Sequence, residues 1–180
     1  MNRNTLSVAL GLFIVGYGTN VSTPFLVLYR DRLGLNTNAT QLIFVVYVVG
    51  ILSTLMVAGQ LSDRYGRKRL LVASLALSAV GSLLIVFGRD AFGLLIAGRI
   101  VLGIVSGLGL GVGAAWLQDL LGPGQQAKAA LIATLVTYGG FGAAPPLSVL
   151  YEWLGPSPLV VPFLFHIAIT LAVIPAVLKI

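Results

Sequence analysis

The sequence predicts an all-α polytopic membrane protein whose chain crosses the bilayer six times. Of its 180 residues, 58% are hydrophobic and only 9% are charged, whereas a soluble domain contains roughly 25% charged residues. The apolar residues form runs of about 20 or more, the length that an α-helix needs to span the hydrocarbon core. Short polar breaks separate these runs, so successive helices are predicted to be antiparallel neighbours.

The first apolar run extends from Thr5 to Tyr29 and ends in Arg30, Asp31 and Arg32. It is longer than the apolar core of a secretory signal peptide, which has roughly 7–15 residues, and no small-residue cleavage site ends it. We therefore interpret residues 5–29 as an uncleaved first helix.

Five further runs complete the predicted set. The breaks between runs contain turn residues and charge, at residues 36–38, 63–69, 88–90, 122–124 and 155–158. Glycine and proline inside the runs do not argue against helices, because membrane helices tolerate both. The remaining predicted helices cover residues 39–61, 70–88, 91–120, 127–151 and 159–180.

The distribution of lysine and arginine predicts that both termini lie in the cytoplasm, because cytoplasmic loops are enriched in these residues. With the N-terminus inside, seven of the eleven cations fall on the inner side and three on the outer side, while Arg99 falls within a helix. The inner cations are Arg3, Arg64, Arg67, Lys68, Arg69, Lys128 and Lys179; the outer ones are Arg30, Arg32 and Arg89.

A weak internal repeat marks the ends of four helices. Asp31-Arg32-Leu33-Gly34 ends the first and Asp119-Leu120-Leu121-Gly122 the fourth, while Asp63-Arg64-Tyr65-Gly66 ends the second and Glu152-Trp153-Leu154-Gly155 the fifth. Helices one to three therefore resemble helices four to six in the opposite membrane orientation. The predicted architecture is two inverted three-helix repeats, as in transporter halves.

The most specific motif runs from Gly59 to Arg69, between the second and third helices. An ordinary basic loop would account for its four cations, but not for Gly59, Asp63 and Gly66 at their spacing. The segment resembles the signature loop of the major facilitator superfamily, G-x-L-a-D-r-x-G-R-[KR]-x. The resemblance implies a secondary transporter in which this loop latches helix ends together in one conformational state. The residues assigned to the latch are Gly59, Asp63, Arg64, Gly66, Arg67, Lys68 and Asp119, with an ion pair expected between Arg67 and Asp119.

A second motif lies in the fourth helix, where small residues follow Arg99 at intervals of four: Gly103, Gly107, Gly111 and Ala115. It resembles the family pattern R-x-x-x-G-x-x-x-G. A close-packing face of small residues would account for the glycines but not for the arginine. Arg99 lies about 12 Å inside the helix, counted from Ala91. A charge at that depth indicates function, and snorkelling to the outer interface is the alternative.

The fifth helix contains a third stretch, with Gly140 four residues before Ala144 and Pro145. It loosely resembles the exporter motif of the same family, with Ala144-Pro145 in the place of Gly-Pro. Gly140 and Pro145 are accordingly assigned to helix packing in an exporter, and a plain proline kink is the alternative.

Polar residues inside the apolar runs predict a cavity. Tyr17 and Asn20 share one face of the first helix with Pro24, and we expect Arg99 to donate hydrogen bonds to Asn20 or Tyr17. Helix–helix hydrogen bonding is the alternative for this face. His166 is interpreted as a cavity-lining or helix-interior polar residue.

Other function classes are weakly supported. An intramembrane protease could use Ser106 and His166, but Ile104 and Leu108 stand where a Gly-x-Ser-x-Gly stretch requires glycine. We therefore predict no enzyme activity, no cofactor and no metal site; the absence of cysteine excludes thiolate ligands. A net charge of +6 does not predict nucleic-acid binding, because the cations lie mostly between membrane segments.

The resemblance implies that residues 1–180 form the N-terminal six-helix half of a twelve-helix transporter in the cell (inner) membrane. The expected function is secondary active transport of a small molecule by alternating access, with proton-coupled efflux. The expected partners are the lipid bilayer, a small-molecule substrate, and either a C-terminal six-helix half or a second copy. The alternative is an assembly partner that transports nothing by itself.

Overall fold

A computed structural model describes residues 2–155 and 157–180, and these residues form helices and turns without any strand. Met1 and Pro156, the latter within the last predicted break, lie outside the described residues. Five of the described helices, α3 to α7, are long and apolar enough to cross a membrane. The helices are α1 (Arg3–Asn20), α2 (Leu26–Leu33), α3 (Thr37–Tyr65), α4 (Arg67–Gly88), α5 (Phe92–Leu121), α6 (Gln126–Leu154) and α7 (Val161–Leu178).

The prediction of one continuous first helix over residues 5–29 is wrong. α1 ends at Asn20. The turn that follows contains hydrogen bonds between residues three apart in sequence, from Thr23 N to Asn20 O (3.1 Å) and from Phe25 N to Ser22 O (3.2 Å). Pro24 occupies the middle of this turn and has no N–H to donate to the carbonyl of Asn20, so it cannot continue the helical ladder. The α1–α2 turn, residues 21–25, therefore divides the first apolar run.

The predicted break at residues 63–69 shrinks to a single residue. α3 continues to Tyr65, four residues beyond its predicted end, and α4 begins at Arg67. Only Gly66 separates them, with a φ of 86° that favours glycine over any residue with a side chain. Asp63 and Arg64 are thus helical residues in the last turn of α3. The other predicted bounds differ from the observed ones by at most three residues.

α5 is the central helix of the bundle. It packs against α3 and α4 along its length and also contacts α1 and α6, while α1 packs on α6 and α7. Two apolar clusters fill the interior, one around Leu12, Leu75 and Leu117 and the other around Phe25 and Ile85. The first cluster lies toward the start of α4, which we call the Arg67 end of the bundle. The second lies toward the end of α4, which we call the Arg89 end.

Large apolar side chains also cover the outside of the bundle. Met56 on α3 is 83% exposed, and Val49, Leu135 and Leu171 are exposed as well. A water-soluble protein of this size would not expose such a continuous apolar surface. Facing lipid, these side chains are in a solvent as apolar as themselves.

α3 and α5 approach each other along a line of glycines. A Cβ added to Gly103 would collide with the carbonyl of Tyr47, and one added to Gly107 would collide with Thr54 and the carbonyl of Ile51. At Gly111 the added atom would lie 3.2 Å from the Cβ of Ala58. Small residues let two backbones pack closely in a membrane, so this face brings α5 directly onto α3.

α6 approaches α1 in the same way. A Cβ on Gly140 would collide with the carbonyl of Phe13 and would lie 2.9 Å from the backbone nitrogen of Tyr17. Pro145 lies inside α6, which continues through Pro145 and Pro146 to Leu154.

Candidate functional site

The side chain of Arg99 is completely buried between α5, α3 and the α1–α2 turn. Its Nη1 donates a hydrogen bond of 2.6 Å to Ser22 Oγ, and its Nε donates one of 3.2 Å to the carbonyl of Ile43. The guanidinium carbon lies 4.6 Å from the centroid of the Tyr47 ring, within the range of a cation–π contact. Arg99 therefore points inward and does not snorkel to the interface.

The acceptors predicted for Arg99 are wrong. Asn20 Nδ2 lies 3.4 Å from the carbonyl of Phe141 and donates to α6 instead. The Tyr17 hydroxyl is buried without a hydrogen-bond partner among the described residues, and its ring contacts those of Phe165 and His166. Because the first helix ends at Asn20, the turn places Ser22, not the helical face of Tyr17 and Asn20, beside the guanidinium. A serine two residues before the proline of the apolar run was the signal for Ser22.

The α1–α2 turn is held from two sides. Arg99 on α5 binds it through Ser22, and Ser148 on α6 donates a hydrogen bond of 3.1 Å to the carbonyl of Val21. Non-helical backbone at membrane depth persists only where protein groups satisfy and cover it. Sequence reasoning missed Ser148 because only the fold brings it close to Val21.

The positive charge of Arg99 meets only neutral groups within the described residues. All five acidic residues lie at or near helix ends rather than at its depth: Asp31, Asp63, Asp90, Asp119 and Glu152. The Nη2 atom of Arg99 is buried and has no hydrogen-bond partner in the described part of the chain. The hydroxyl of Tyr29 is also buried without a partner there. The N–H groups of Nη2 thus lack an acceptor among the described residues.

His166 is also completely buried, enclosed by α4, α1 and its own helix α7. Its Nδ1 lies 2.7 Å from Ser82 Oγ, and its Nε2 lies 3.3 Å from Ser78 Oγ and 3.2 Å from Thr170 Oγ1. Gly18 gives the ring its space, because a Cβ there would overlap the imidazole. The structure therefore places His166 in a helix-packing cluster of hydroxyl groups.

The two residues considered for proteolysis have separate partners. Ser106 Oγ shares a hydrogen bond of 2.6 Å with Thr19 Oγ1 and donates to the carbonyl of Leu102, whereas His166 contacts the hydroxyls named above. No group of three or more potential metal ligands forms a site within residues 2–155 and 157–180.

The ion pair expected between Arg67 and Asp119 is present. Arg67 Nη1 lies 2.8 Å from Asp119 Oδ2, joining the start of α4 to the end of α5. Arg67 is partly buried and Asp119 is about half exposed, and exposed pairs of this kind contribute about 0–1 kcal/mol. The contact is therefore weak enough to form in one conformation and break in another.

The remaining residues of the predicted latch surround this pair. Asp63 and Lys68 line the same surface pocket as Arg67 and Asp119, while Arg64 lies 5.4 Å above the ring of Tyr65. A Cβ added to Gly59 would meet no described atom within 4 Å. Gly59 therefore packs against no other helix among the described residues.

An open groove of about 360 Å³ lies between α3, α5 and α6. Its lining combines small and apolar residues with hydroxyl groups and contains no charged side chain; it includes Ser106, Gly107, Gly111, Thr134, Thr137 and Tyr138. None of the four predicted cavity residues, Tyr17, Asn20, Arg99 and His166, belongs to this lining. The predicted cavity residues thus occupy the packed interior beside the groove.

A second charge cluster, not predicted from the sequence, lies at the Arg89 end. Arg32 at the end of α2 donates from Nη2 (2.6 Å) and Nε (2.9 Å) to Asp90 Oδ1, and Arg89 Nε donates to Asp90 Oδ2 at 3.0 Å. Hydrogen bonds from Arg32 first, and from Arg89 second, hold the pKa of Asp90 below its ordinary value. The cluster ties the end of α2 to the turn between α4 and α5.

Comparison with known proteins identifies the same family as the motifs. The sequence profile of the Major Facilitator Superfamily matches residues 8–180. Similar curated proteins include the bacillibactin exporter of Bacillus subtilis, 27% identical over 108 residues (58% of this chain and 27% of the relative). The arabinose-proton symporter of the same organism is 26% identical over 153 residues (82% and 33%). A triacylglyceride transporter of Mycolicibacterium smegmatis is 32% identical over 161 residues (86% and 26%). The chain thus spans about a quarter to a third of the length of these relatives.

Proposed function

The chain belongs to the major facilitator superfamily, and from that premise we propose that it takes part in secondary active transport of a small molecule by alternating access. Its apolar helices and its relatives make it an integral membrane protein, and the similar proteins are transporters and exporters rather than enzymes. The family match over nearly the whole chain is the observation that carries the proposal.

The latch residues supply the conformational element of this proposal. Alternating access requires contacts that hold helix ends in one state and are lost in the other. The ion pair between Arg67 and Asp119 suits this role because it is partly exposed and therefore weak. We assign it to the state in which the cavity opens away from the Arg67 end. Asp63, Arg64, Gly66 and Lys68 complete the latch.

The groove between α3, α5 and α6 supplies this chain's share of the substrate path. Its hydroxyl groups and apolar walls suit an uncharged or amphipathic molecule. Arg99 lies outside the groove lining, and its buried Nη2 has no acceptor among the described residues. The titrating acid of a proton-coupled mechanism then comes from outside the described residues, since their acids lie at helix ends. Tyr17, Asn20 and His166 hold the helices around this path.

The direction of transport is a separate part of the proposal. The relatives include both an exporter and a symporter, so they favour neither direction. We propose efflux because Gly140 and Pro145 occupy α6 in a pattern similar to the exporter motif of the family. The close contact of Gly140 with α1 is consistent with such a packing role.

We further propose that the chain makes six crossings as two inverted repeats, with α1 and α2 together forming the first crossing. Both termini then lie in the cytoplasm, and the membrane is the cell (inner) membrane. The open groove and the exposed apolar side chains of α3 and α6 leave room for a second six-helix half, either a C-terminal half or another copy. Residues 1–180 are the N-terminal half in this arrangement.

Reconstitution tests the proposal. The chain alone and the chain joined to a complementary six-helix half are inserted into liposomes that carry a pH gradient, and both substrate flux and proton flux are recorded. We expect coupled fluxes only from the joined halves, with loss of transport in the variant Arg67→Ala and retention in Lys128→Ala, which removes an exposed cation outside the latch. Joined halves that fold but move no substrate would favour the alternative of an assembly partner without transport. Equal flux by the chain alone would overturn the need for a second half.

A further inference from the structure

A groove of about 610 Å³ runs along the bundle surface where the start of α4 meets the end of α7. It is separate from the groove between α3, α5 and α6. Its lining consists of two cations, three residues of the following α4 turns, and one residue at the end of α7: Lys68, Arg69, Val72, Ala73, Ala76 and Leu178.

The lining changes character with depth. Lys68 and Arg69 lie in the first turn of α4, and Ala76 lies seven residues further along, about 10 Å deeper at 1.5 Å per residue. Ala73, Ala76 and Leu178 are exposed, so the floor is an open apolar surface. The groove therefore has a cationic mouth at the end of the bundle and an apolar floor at the depth of lipid tails.

The two cations at the mouth, Lys68 and Arg69, form no ion pair among the described residues, whereas the neighbouring Arg67 is paired with Asp119. The groove lining contains no acidic side chain, and Lys179 follows Leu178 at its edge. Lys68 also borders the pocket that contains Asp63 and Asp119. Arg69 lines this groove and does not border that pocket.

We propose that this groove binds an anionic glycerophospholipid. The phosphate lies between Lys68 and Arg69, and one acyl chain follows Val72, Ala73 and Ala76. Basic pockets between membrane helices bind anionic headgroups by charge attraction, and the floor adds apolar contact that a soluble phosphate would not use. The small alanine side chains leave the width that a hydrocarbon chain needs. A bound lipid of this kind contacts both α4 and α7 and ties their ends together.

Binding is measured on the purified, delipidated chain in a neutral detergent by native mass spectrometry, with phosphatidylglycerol and phosphatidylcholine of equal chain length. Each basic side chain near an anionic partner contributes about a factor of five in affinity, so phosphatidylglycerol binds roughly 30-fold more tightly. The double variant K68Q/R69Q removes this preference. The matched control R3Q/K128Q removes two exposed cations from the same end, outside the groove, and keeps it.

Two further arms separate the headgroup from the acyl chain. The variant Ala76→Phe fills the floor without changing charge, and we expect it to weaken phosphatidylglycerol binding about tenfold. sn-Glycerol 3-phosphate, which has the phosphate but no chain, should fail to displace the lipid. K68Q/R69Q changes the mouth of the groove and Ala76→Phe changes its floor. If one of these variants fails to fold, the other still tests the proposal.

Four results would each overturn the proposal: equal affinity for both lipids, an equal loss of preference in the two double variants, full displacement by glycerol 3-phosphate, or unchanged binding in Ala76→Phe. None of these measurements involves transport, so they stand or fall independently of the proposed function.

Discussion

The guanidinium of Arg99 donates a hydrogen bond of 2.6 Å to the hydroxyl of Ser22. This bond connects α5 to the turn that interrupts the first apolar run. Both residues are buried. The second hydrogen bond of the guanidinium, to the carbonyl of Ile43, attaches α3 at the same point. One side chain thus fixes three segments of the chain relative to one another.

Replacing Arg99 by lysine should destabilise the bundle by about 2 kcal/mol, because a point charge cannot bind Ser22, reach Ile43 and stack on Tyr47 together. Unfolding in mixed micelles measures the effect. Arg89→Lys at the exposed end is the control and should change little. Ser22→Ala should act non-additively with the Arg99 change, since the two share one hydrogen bond. An Arg99→Lys protein as stable as the parent would contradict this role.

The glycines of α5 provide a pair of matched substitutions. Gly103→Ala should destabilise by about 1–3 kcal/mol, because the new methyl group collides with the backbone of Tyr47. Gly93→Ala on the same helix meets no described atom within 4 Å and should be neutral or stabilising by up to about 1 kcal/mol. The midpoints of thermal unfolding in detergent compare the two. Equal midpoints would show that α3 and α5 do not pack as closely as described.

Exchanging the partners of the Arg67–Asp119 pair tests its directional role. Arg67→Asp alone should shift the protein away from the state that the pair stabilises, and adding Asp119→Arg should restore it. The effect on stability should stay below about 1 kcal/mol, because the pair is partly exposed. Cysteine accessibility in the joined transporter reports the conformation, with Lys128→Asp, outside the latch at the same end, as the control for charge reversal. A double variant no better than the single one would reject the pair as a latch.

The Asp90 cluster should respond to acid. Since the pKa of Asp90 is lowered by hydrogen bonds from Arg32 and Arg89, its contribution to stability is present above the ordinary aspartate pKa and is lost as the pH falls through the lowered value. In Arg32→Gln the pKa of Asp90 should rise toward its ordinary value of 3.8. Carboxyl carbon resonances followed through an NMR titration measure this shift, with Arg30→Gln as the control. An unchanged Asp90 titration in Arg32→Gln would contradict the assignment.

Membrane orientation can be read with single cysteines, since the sequence contains none. A cysteine at Thr37 should react with an impermeant reagent added outside intact cells, while one at Gln125 should react only after permeabilisation, because inner cations outnumber outer ones. Both positions are exposed. Ser62 is unsuitable because it is buried at the end of α3. The opposite labelling pattern would place the termini outside.

Much of the fold could be predicted from local sequence. The five spans α3 to α7 follow from apolar runs of membrane length, and the pair between Arg67 and Asp119 follows from a family motif at helix ends. N-terminal caps shift the observed helix boundaries away from the predicted ones. The side chain of Asn36, the N-cap of α3, accepts a hydrogen bond from Ala39 N at 2.9 Å, so α3 begins two residues before its apolar run. Such shifts involve side chains just outside the run, where hydropathy gives no signal.

The sequence by itself determined the class of protein, because an apolar run of sufficient length can satisfy its own backbone in lipid only as a helix. Only the tertiary structure decided where the first run is broken and what Arg99 binds. Pro24 permits a break, but two residues distant along the chain hold the turn. Ser148, 127 residues from Val21, donates to the carbonyl of Val21, and Arg99 donates to the hydroxyl of Ser22. A long-range hydrogen bond of this kind depends on how the helices pack, and no local pattern in the first helix specifies its partner.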